Sequence, residues 1–212
     1  MASNQEIEIK FRVTDIRSMR RRLRESKFQL ITRRTHEMNT LYDLPRQTLR
    51  KRGALLRLRQ YGADWILTYK AKGKLGRHKA RTELETKIDD GKKMEAILNA
   101  LGFAPSFRYE KFRSEWSDGK GKVVLDETPI GIFGEIEGKS RWIDQTARQL
   151  GISNSDYITQ SYAELFFNWK KRSRSPAKEM SFKAIHGAEG RALQDSRGRM
   201  SLRLPASPTA PN

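Results

Sequence analysis

The chain has 212 residues, 36% of them hydrophobic and 32% charged, with a formal net charge of +18 and no cysteine. That length suits one large domain or two small ones, and the missing cysteines exclude a disulfide framework and any thiolate metal site. The opening MASNQEIEIKFRV holds no apolar stretch of signal-peptide length, and no run approaches the ~20 apolar residues that span a bilayer. The expected location is therefore cytoplasmic, with no membrane partner.

In chain order, a strand from Glu6 to Val13 sets Glu6, Glu8 and Lys10 on one face and Ile7, Ile9 and Phe11 on the other. A helix follows over Thr14 to Lys27, N-capped by Thr14, with Ile16, Met19 and Leu23 on its inner side. Its basic outer face, MRRRLRESK, reads as solvated. A short strand spans Thr40–Asp43. Ala54–Tyr61 sets Arg57 and Arg59 against Leu56 and Leu58, and Trp65–Lys72 sets Lys70 and Lys72 against Leu67 and Tyr69. Arg81–Ile88 places Arg81, Glu83 and Glu85 opposite Leu84. A helix over Asp89 to Leu101 turns Met94, Ile97, Leu98 and Leu101 inward and stops at Gly102.

The second half repeats the theme. Phe107–Trp116 sets Lys111 and Arg113 against Phe112, Lys122–Asp126 contributes Asp126, and Gly134–Gly138 holds Glu135 and Glu137 opposite Ile136. Helices over Ile143 to Leu150 and from near Ser153 through YAELFFNW close the body. The tail from Lys171 contains four of the seven prolines and no sustained period. It reads as a disordered segment, residues 171–212, appended to a domain over residues 1–170; a nucleic-acid or membrane tether is the alternative. His36 and His78 read as solvated, and Trp65, Trp116 and Trp142 as packing residues.

One charged stripe is ordinarily the wet face of an antiparallel sheet. Here the conjunction is informative, because the shared faces are almost purely ionic and the opposite faces are apolar enough to pack under helices. The pattern therefore suggests a sheet wound with its charged side inward. Buried charges must be paired or coordinated, and a mixed set of carboxylates and cations suits a polyanion that carries its own divalent ions. Carboxylates two apart in a strand converge on a hard cation such as Mg²⁺ or Mn²⁺, while Arg and Lys hold phosphate oxygens. Neither a G-x-x-x-x-G-K-[ST] loop nor a G-x-G-x-x-G turn is present.

EIEIK at positions 6–10 resembles the ExExK signature of the CYTH superfamily, the triphosphate tunnel metalloenzymes. It is joined in order by NTLYD with GALLRLR, LTYKAK, RTELE, YEKFR and LDETPIGIFGEIEG, and SYAELF is similar to the end of the class IV adenylate cyclase-like branch. The resemblance covers roughly residues 5–167. It implies an α+β fold, a closed antiparallel eight-stranded β-barrel forming a tunnel with a charged interior, covered outside by several helices. It carries metal binding to Glu6, Glu8, Glu135 and Glu137, assisted by Asp126, Glu83 and Glu85. Phosphate binding falls to Lys10, Arg57, Arg59, Lys70, Lys72, Arg81, Lys111 and Arg113, and catalysis rests on Glu8, Lys111, Arg113, Asp126 and Glu137. YDLPRQ stands where YDTPD is commoner, so no substrate contact is carried over at that turn.

The implied activity is Mg²⁺- or Mn²⁺-dependent chemistry on a nucleotide, organic or inorganic triphosphate, leaning towards adenylate cyclase. Hydrolysis of tripolyphosphate or thiamine triphosphate is the alternative, and a non-catalytic polyphosphate or nucleic-acid binder the second. A homodimer is left open, and nucleic acid is expected only through the basic tail.

Overall fold

The computed structural model of the protein describes residues 5–74 and 76–185. Eight strands are present: β1 (Gln5–Val13), β2 (Gln29–Asp43), β3 (Leu55–Tyr61), β4 (Asp64–Lys70), β5 (Lys79–Ile88), β6 (Ala104–Ser117), β7 (Lys122–Thr128) and β8 (Gly131–Glu137). They close into one antiparallel barrel in the order β1-β5-β4-β3-β2-β6-β7-β8, so the first strand is the seam, pairing with β5 on one side and β8 on the other. The helices are α1 (Ile16–Glu25), α2 (Thr48–Lys51), α3 (Gly91–Ala100), α4 (Ser140–Gln149) and α5 (Tyr162–Ser173). This is the α+β tunnel barrel that the CYTH resemblance implies, with the charged side turned inward as the alternation of ionic and apolar residues suggests.

The apolar faces of the strands turn outward and are buried under helices. Ile9, Phe11 and Val13 of β1 pack with Val123, Leu125 and Ile136 beneath α1 and α4, which contribute Met19, Leu23, Ile143 and Ala147. Leu98 of α3 covers Leu58 and Tyr42 on β3 and β2. The third cluster is on the inward side instead: Phe107 and Tyr109, in phase with Lys111 and Arg113, and Phe133, in phase with Glu135, pack on Tyr162, Leu165 and Phe166 of α5. Of the tryptophans, Trp116 is buried in the first cluster, with Trp142 against it, and Trp65 packs on the α3 cluster.

Gly134 faces Phe11 across the β1–β8 ladder, and a Cβ there would lie 2.1 Å from the ring. Gly134→Ala should cost ~1–3 kcal/mol by overpacking, read as a lower midpoint in thermal or denaturant unfolding. An unchanged midpoint would show that the Phe11 ring can turn aside.

Element boundaries differ from the sequence reading in instructive ways. Asp15, not Thr14, caps α1, its carboxylate accepting from Arg17 N at 2.8 Å. Ser153 starts only a short turn, Asn154–Asp156, because the chain then runs extended and Ile158 exchanges backbone bonds with Lys10 of β1. α5 begins at Tyr162, where Ser161 and Glu164 form a capping box. β2 is far longer than Thr40–Asp43. Its register against β6 shifts between Leu30 and Thr32, between Thr32 and Thr35, and between Leu41 and Tyr42, which blurs the period-2 pattern.

The proposed boundary at Lys171 also moves. α5 continues to Ser173, and Ala177, Met180 and Ile185 are buried against β6 and α5. The cause lies in unequal strand lengths. β7 pairs with β6 only from Phe112 onward, leaving the earlier part of that β6 edge open. The chain fills it: Glu110 N donates to Met180 O and Met180 N to Arg108 O, each at 3.0 Å. Residues 186–212, with His186 and LRLPASPTAPN, lie outside the described residues.

Candidate active site

Because side chains alternate along each strand, the faces opposite the clusters under α1, α3 and α4 converge on the barrel axis. They enclose a cavity of about 350 Å³. Its wall includes Glu6, Glu8 and Lys10 from β1, Arg57 and Arg59 from β3, Lys70 from β4, and Arg81, Glu83 and Glu85 from β5. Lys111 and Arg113 of β6 and Glu135 and Glu137 of β8 complete the residues anticipated from sequence. Two anticipated residues stand elsewhere. Lys72 lies past the end of β4, exposed and packed along Gly53, so it does not line the tunnel. Asp126 has the inward parity but is fully buried and enclosed by Lys111, Arg113 and Tyr162, so it does not line the cavity.

Others join the wall that the pattern did not single out: Lys79, Tyr109, Glu115, Lys122, Ser161 and Tyr162. Lys79 shares the parity of Arg81 and would follow from starting β5 two residues earlier. Glu37 is also new. It is 0% exposed, with Lys111 Nζ at 3.5 Å, Arg113 Nε at 3.7 Å and an Arg59 nitrogen at 3.9 Å. Burial opposes its ionisation, but Lys111, Arg113, Arg59 and Arg57 together hold its carboxyl below the usual range. It shares a face with Asn39 and Leu41, a mixed polar and apolar set that shows no ionic alternation.

The carboxylates divide into two groups. Glu6, Glu8 and Glu137 each offer an oxygen within 4.8 Å of the others. The register makes this possible, since Glu8 sits directly opposite Glu137. Glu8 accepts from Lys79 at 2.9 Å and Glu6 from Lys70 at 2.8 Å. Glu137 has no cation within 4.0 Å among the described residues. Burial in the wall pushes its carboxyl up to about 8, reinforced by the negative charge of Glu135, Glu6 and Glu8 and opposed by Arg113. Three convergent carboxylate oxygens, one of them lacking a counter-charge, fit a hard divalent cation such as Mg²⁺ or Mn²⁺.

The remaining four carboxylates are tied to bases. Glu135 binds Lys10 and Arg113, both at 2.6 Å, and these cations hold it well below the usual range against the effect of burial. Asp126 accepts from Lys111, from two nitrogens of Arg113 and from Tyr162 Oη at 2.6–2.8 Å. Glu83 pairs with Lys70 at 2.6 Å and Glu85 with Arg59 at 3.1 Å. The seven acids anticipated as metal ligands thus resolve into one convergent trio and four residues that fix the cations. Among the bases, Arg57, Arg59 and Arg81 each keep a buried Nε without a hydrogen-bond partner. Unpaired buried donors of this kind await an acceptor, and phosphate oxygens match the guanidinium fork.

Away from the tunnel, the histidines are not free in solvent. His36 meets Glu110 at 2.7 Å, and His78 meets Asp144 at 2.9 Å. None of the described helices is long and apolar enough to cross a membrane.

Comparison with known proteins bears on the same barrel. A Methanocaldococcus jannaschii protein provisionally named an adenylate cyclase is 27% identical over 171 residues, covering 76% of this chain and 97% of the relative. A Vibrio parahaemolyticus structure with the same provisional name superposes with a TM-score of 0.69 at 21% identity, over 76% of this chain and 97% of that one. A Hippeastrum protein provisionally called an adenylyl cyclase, with a dominant triphosphatase activity, gives a TM-score of 0.59 at 20% identity, over 77% of this chain and 95% of that one. Both structural likenesses show a common fold. The family model for the CYTH domain matches residues 4–162, from just ahead of β1 to the first residue of α5, and the chain belongs to the CYTH domain family.

Proposed function

We propose that the protein is a divalent-metal-dependent enzyme acting on the triphosphate group of a nucleotide, organic or inorganic triphosphate inside the barrel. The observation that carries this reading is the convergence of Glu6, Glu8 and Glu137 in the same cavity as three arginines with unpaired buried Nε groups. A cation held by that trio, Mg²⁺ or Mn²⁺, would neutralise phosphate oxygens and polarise an oxygen nucleophile. Arg57, Arg59 and Arg81 hold non-bridging oxygens and set the chain of phosphates along the tunnel. Lys10, Lys111 and Arg113, already pinned by Glu135 and Asp126, meet charge that develops as the bond to phosphorus breaks.

Cyclisation of ATP is the first reading, supported by the names of the relatives. The ribose 3′-hydroxyl oxygen attacks the α-phosphorus, its proton leaves, and pyrophosphate departs. Hydrolysis is the second, supported by a wall that is mostly ionic, with Leu41, Leu55, Val124 and Ala163 among its few aliphatic side chains. Purified protein with Mn²⁺ or Mg²⁺ and ATP should give cyclic AMP and pyrophosphate on the first reading. Orthophosphate from tripolyphosphate or thiamine triphosphate, with no cyclic AMP, selects the second. Turnover of none of these with either metal overturns the enzyme and leaves a binding module.

The state of Glu137 sets a pH dependence. With its carboxyl near 8, the group is protonated at pH 6–7, and cation binding must displace that proton. Mn²⁺ affinity should therefore rise by up to about tenfold per pH unit below 8 and level off above it. Calorimetric titration across pH 6–9 checks this, and a flat profile would show Glu137 ionised throughout.

A further inference from the structure

Tyr162 opens α5, and nothing in the phosphate-and-metal reading assigns it a task. Its place is fixed with unusual redundancy. The Ser161–Glu164 capping box starts the helix at this residue. The ring stacks on Tyr109 at 5.9 Å and meets Phe133 edge-on at 5.8 Å. Yet the residue is not simply core, because it also lines the tunnel.

Two contacts give it a chemical role. Lys10 Nζ lies 4.6 Å and Lys111 Nζ 4.7 Å from the centre of its ring, so both ammonium groups rest against one π system. Its hydroxyl donates to Asp126 Oδ2 at 2.6 Å, the oxygen that also receives Lys111 and Arg113. Burial and the adjacent Asp126 raise its phenol well above the ordinary range, so the hydroxyl remains a donor. Lys10, Lys111 and Arg113 therefore each touch either Tyr162 or the carboxylate to which it donates.

The ion pairs alone do not require this. Asp126 shares Lys111 and Arg113 with Glu37, and Arg113 with Glu135 as well, so the balance among these carboxylates sets how far each base leans towards Asp126. A hydroxyl on Oδ2 occupies acceptor capacity and spreads the carboxylate's charge, leaving N–H groups of both bases to point into the cavity. The ring meanwhile offsets repulsion between two neighbouring ammonium groups. We infer that Tyr162 is a positioning residue, which aims Lys10, Lys111 and Arg113 at the phosphate undergoing reaction and so couples α5 to the chemistry of the barrel. The inference rests on the triphosphate reading above. Because Arg57, Arg59 and Arg81 hold the ground-state phosphates independently, its effect should fall on kcat rather than KM.

The test uses full-length Tyr162→Phe and Tyr162→Leu proteins with Mn²⁺ and whichever triphosphate the wild type turns over. Tyr162→Phe, which keeps the ring, should lower kcat about tenfold with KM within about twofold and a thermal midpoint within a few degrees. Tyr162→Leu should lower kcat roughly a hundredfold. Unchanged kcat in Tyr162→Phe, or Leu no worse than Phe, overturns the inference. So does a loss that falls equally on KM and the midpoint, the mark of a merely structural residue. A readout independent of turnover separates this failure from that of the triphosphate reading. The ε-methylene protons of Lys10 and Lys111 should resonate upfield through the ring current in wild type and Tyr162→Phe and return to ordinary shifts in Tyr162→Leu. If wild type turns over nothing yet shows that pattern, the functional reading fails and the positioning stands; if the upfield signals are absent in wild type, the positioning fails.

Discussion

Glu8→Gln should lower turnover by about a hundredfold or more, a loss of ~2.7 kcal/mol in transition-state stabilisation, with little change in folding. Glu8 is 7% exposed, sits opposite Glu137 in the β1–β8 ladder, and accepts from Lys79 at 2.9 Å. Glutamine keeps the shape and can still accept that bond, so the ladder and the surrounding packing stay. What disappears is one of three carboxyl groups whose oxygens converge within 4.8 Å, and a hard cation binds charged oxygens in preference to neutral ones. Glu137→Gln should match it in activity and additionally flatten the pH dependence of Mn²⁺ affinity, since the titrating group is gone. Steady-state rates, calorimetric titration and a thermal melt together test the pair. Near-wild-type turnover in both variants would remove the trio from the chemistry.

Ending the chain after Ser173 should be costly to stability, although the deleted sequence shows no apolar period. The truncation uncovers the β6 edge at Arg108–Glu110 and removes the side chains of Ala177, Met180 and Ile185 from the cluster under α5. Met180 and Ile185 are 0% and 1% exposed, and burying side chains of that size contributes ~1.5–3 kcal/mol each. With a midpoint shift of ~2–4 °C per kcal/mol for a chain of this size, a fall of about 10 °C is expected. A second truncation after Ile185 serves as the control and should melt close to the full-length protein. Equal midpoints for all three proteins would show that the segment contributes nothing to the fold.

Much of the barrel is legible in the sequence because period-2 alternation survives wherever one face is wholly ionic and the other wholly apolar. β1 and β3 are read nearly residue for residue in this way, while β8 is entered three residues late at Gly134. Parity, however, reports a side and not a height. Asp126 points inward, as anticipated, but at a level where Lys111, Arg113 and Tyr162 close around it. Lys72 has the right parity in a strand that ends two residues too soon. Glu37 was missed although its register is regular from Thr35 to Leu41, because polar and apolar residues mix on both faces there, with Asn39 and Leu41 inward and Met38 and Thr40 outward. The 175–185 segment was missed for a different reason. Its few apolar side chains show no period, and part of its hold comes from backbone groups, the Met180 bonds to β6 and Phe182 N to Glu110, which leave no trace in residue type.

The seam of the barrel has a consequence for the order of events in synthesis. Glu8 and Glu137 face each other only because the first strand made is hydrogen-bonded to the last. Any nascent chain shorter than β8 carries Glu6 and Glu8 without their third companion, and β1 can find at most one of its two neighbours. Pairing across such a separation is slow, because the whole intervening chain must be ordered first. The trio of Glu6, Glu8 and Glu137 therefore comes together at the moment of closure rather than along the way, and under the proposed metal binding a cation there would stabilise only the finished barrel. If Mn²⁺ binds the trio as proposed, the number of sites titrated per chain should then report how much of a preparation has closed, independent of any substrate.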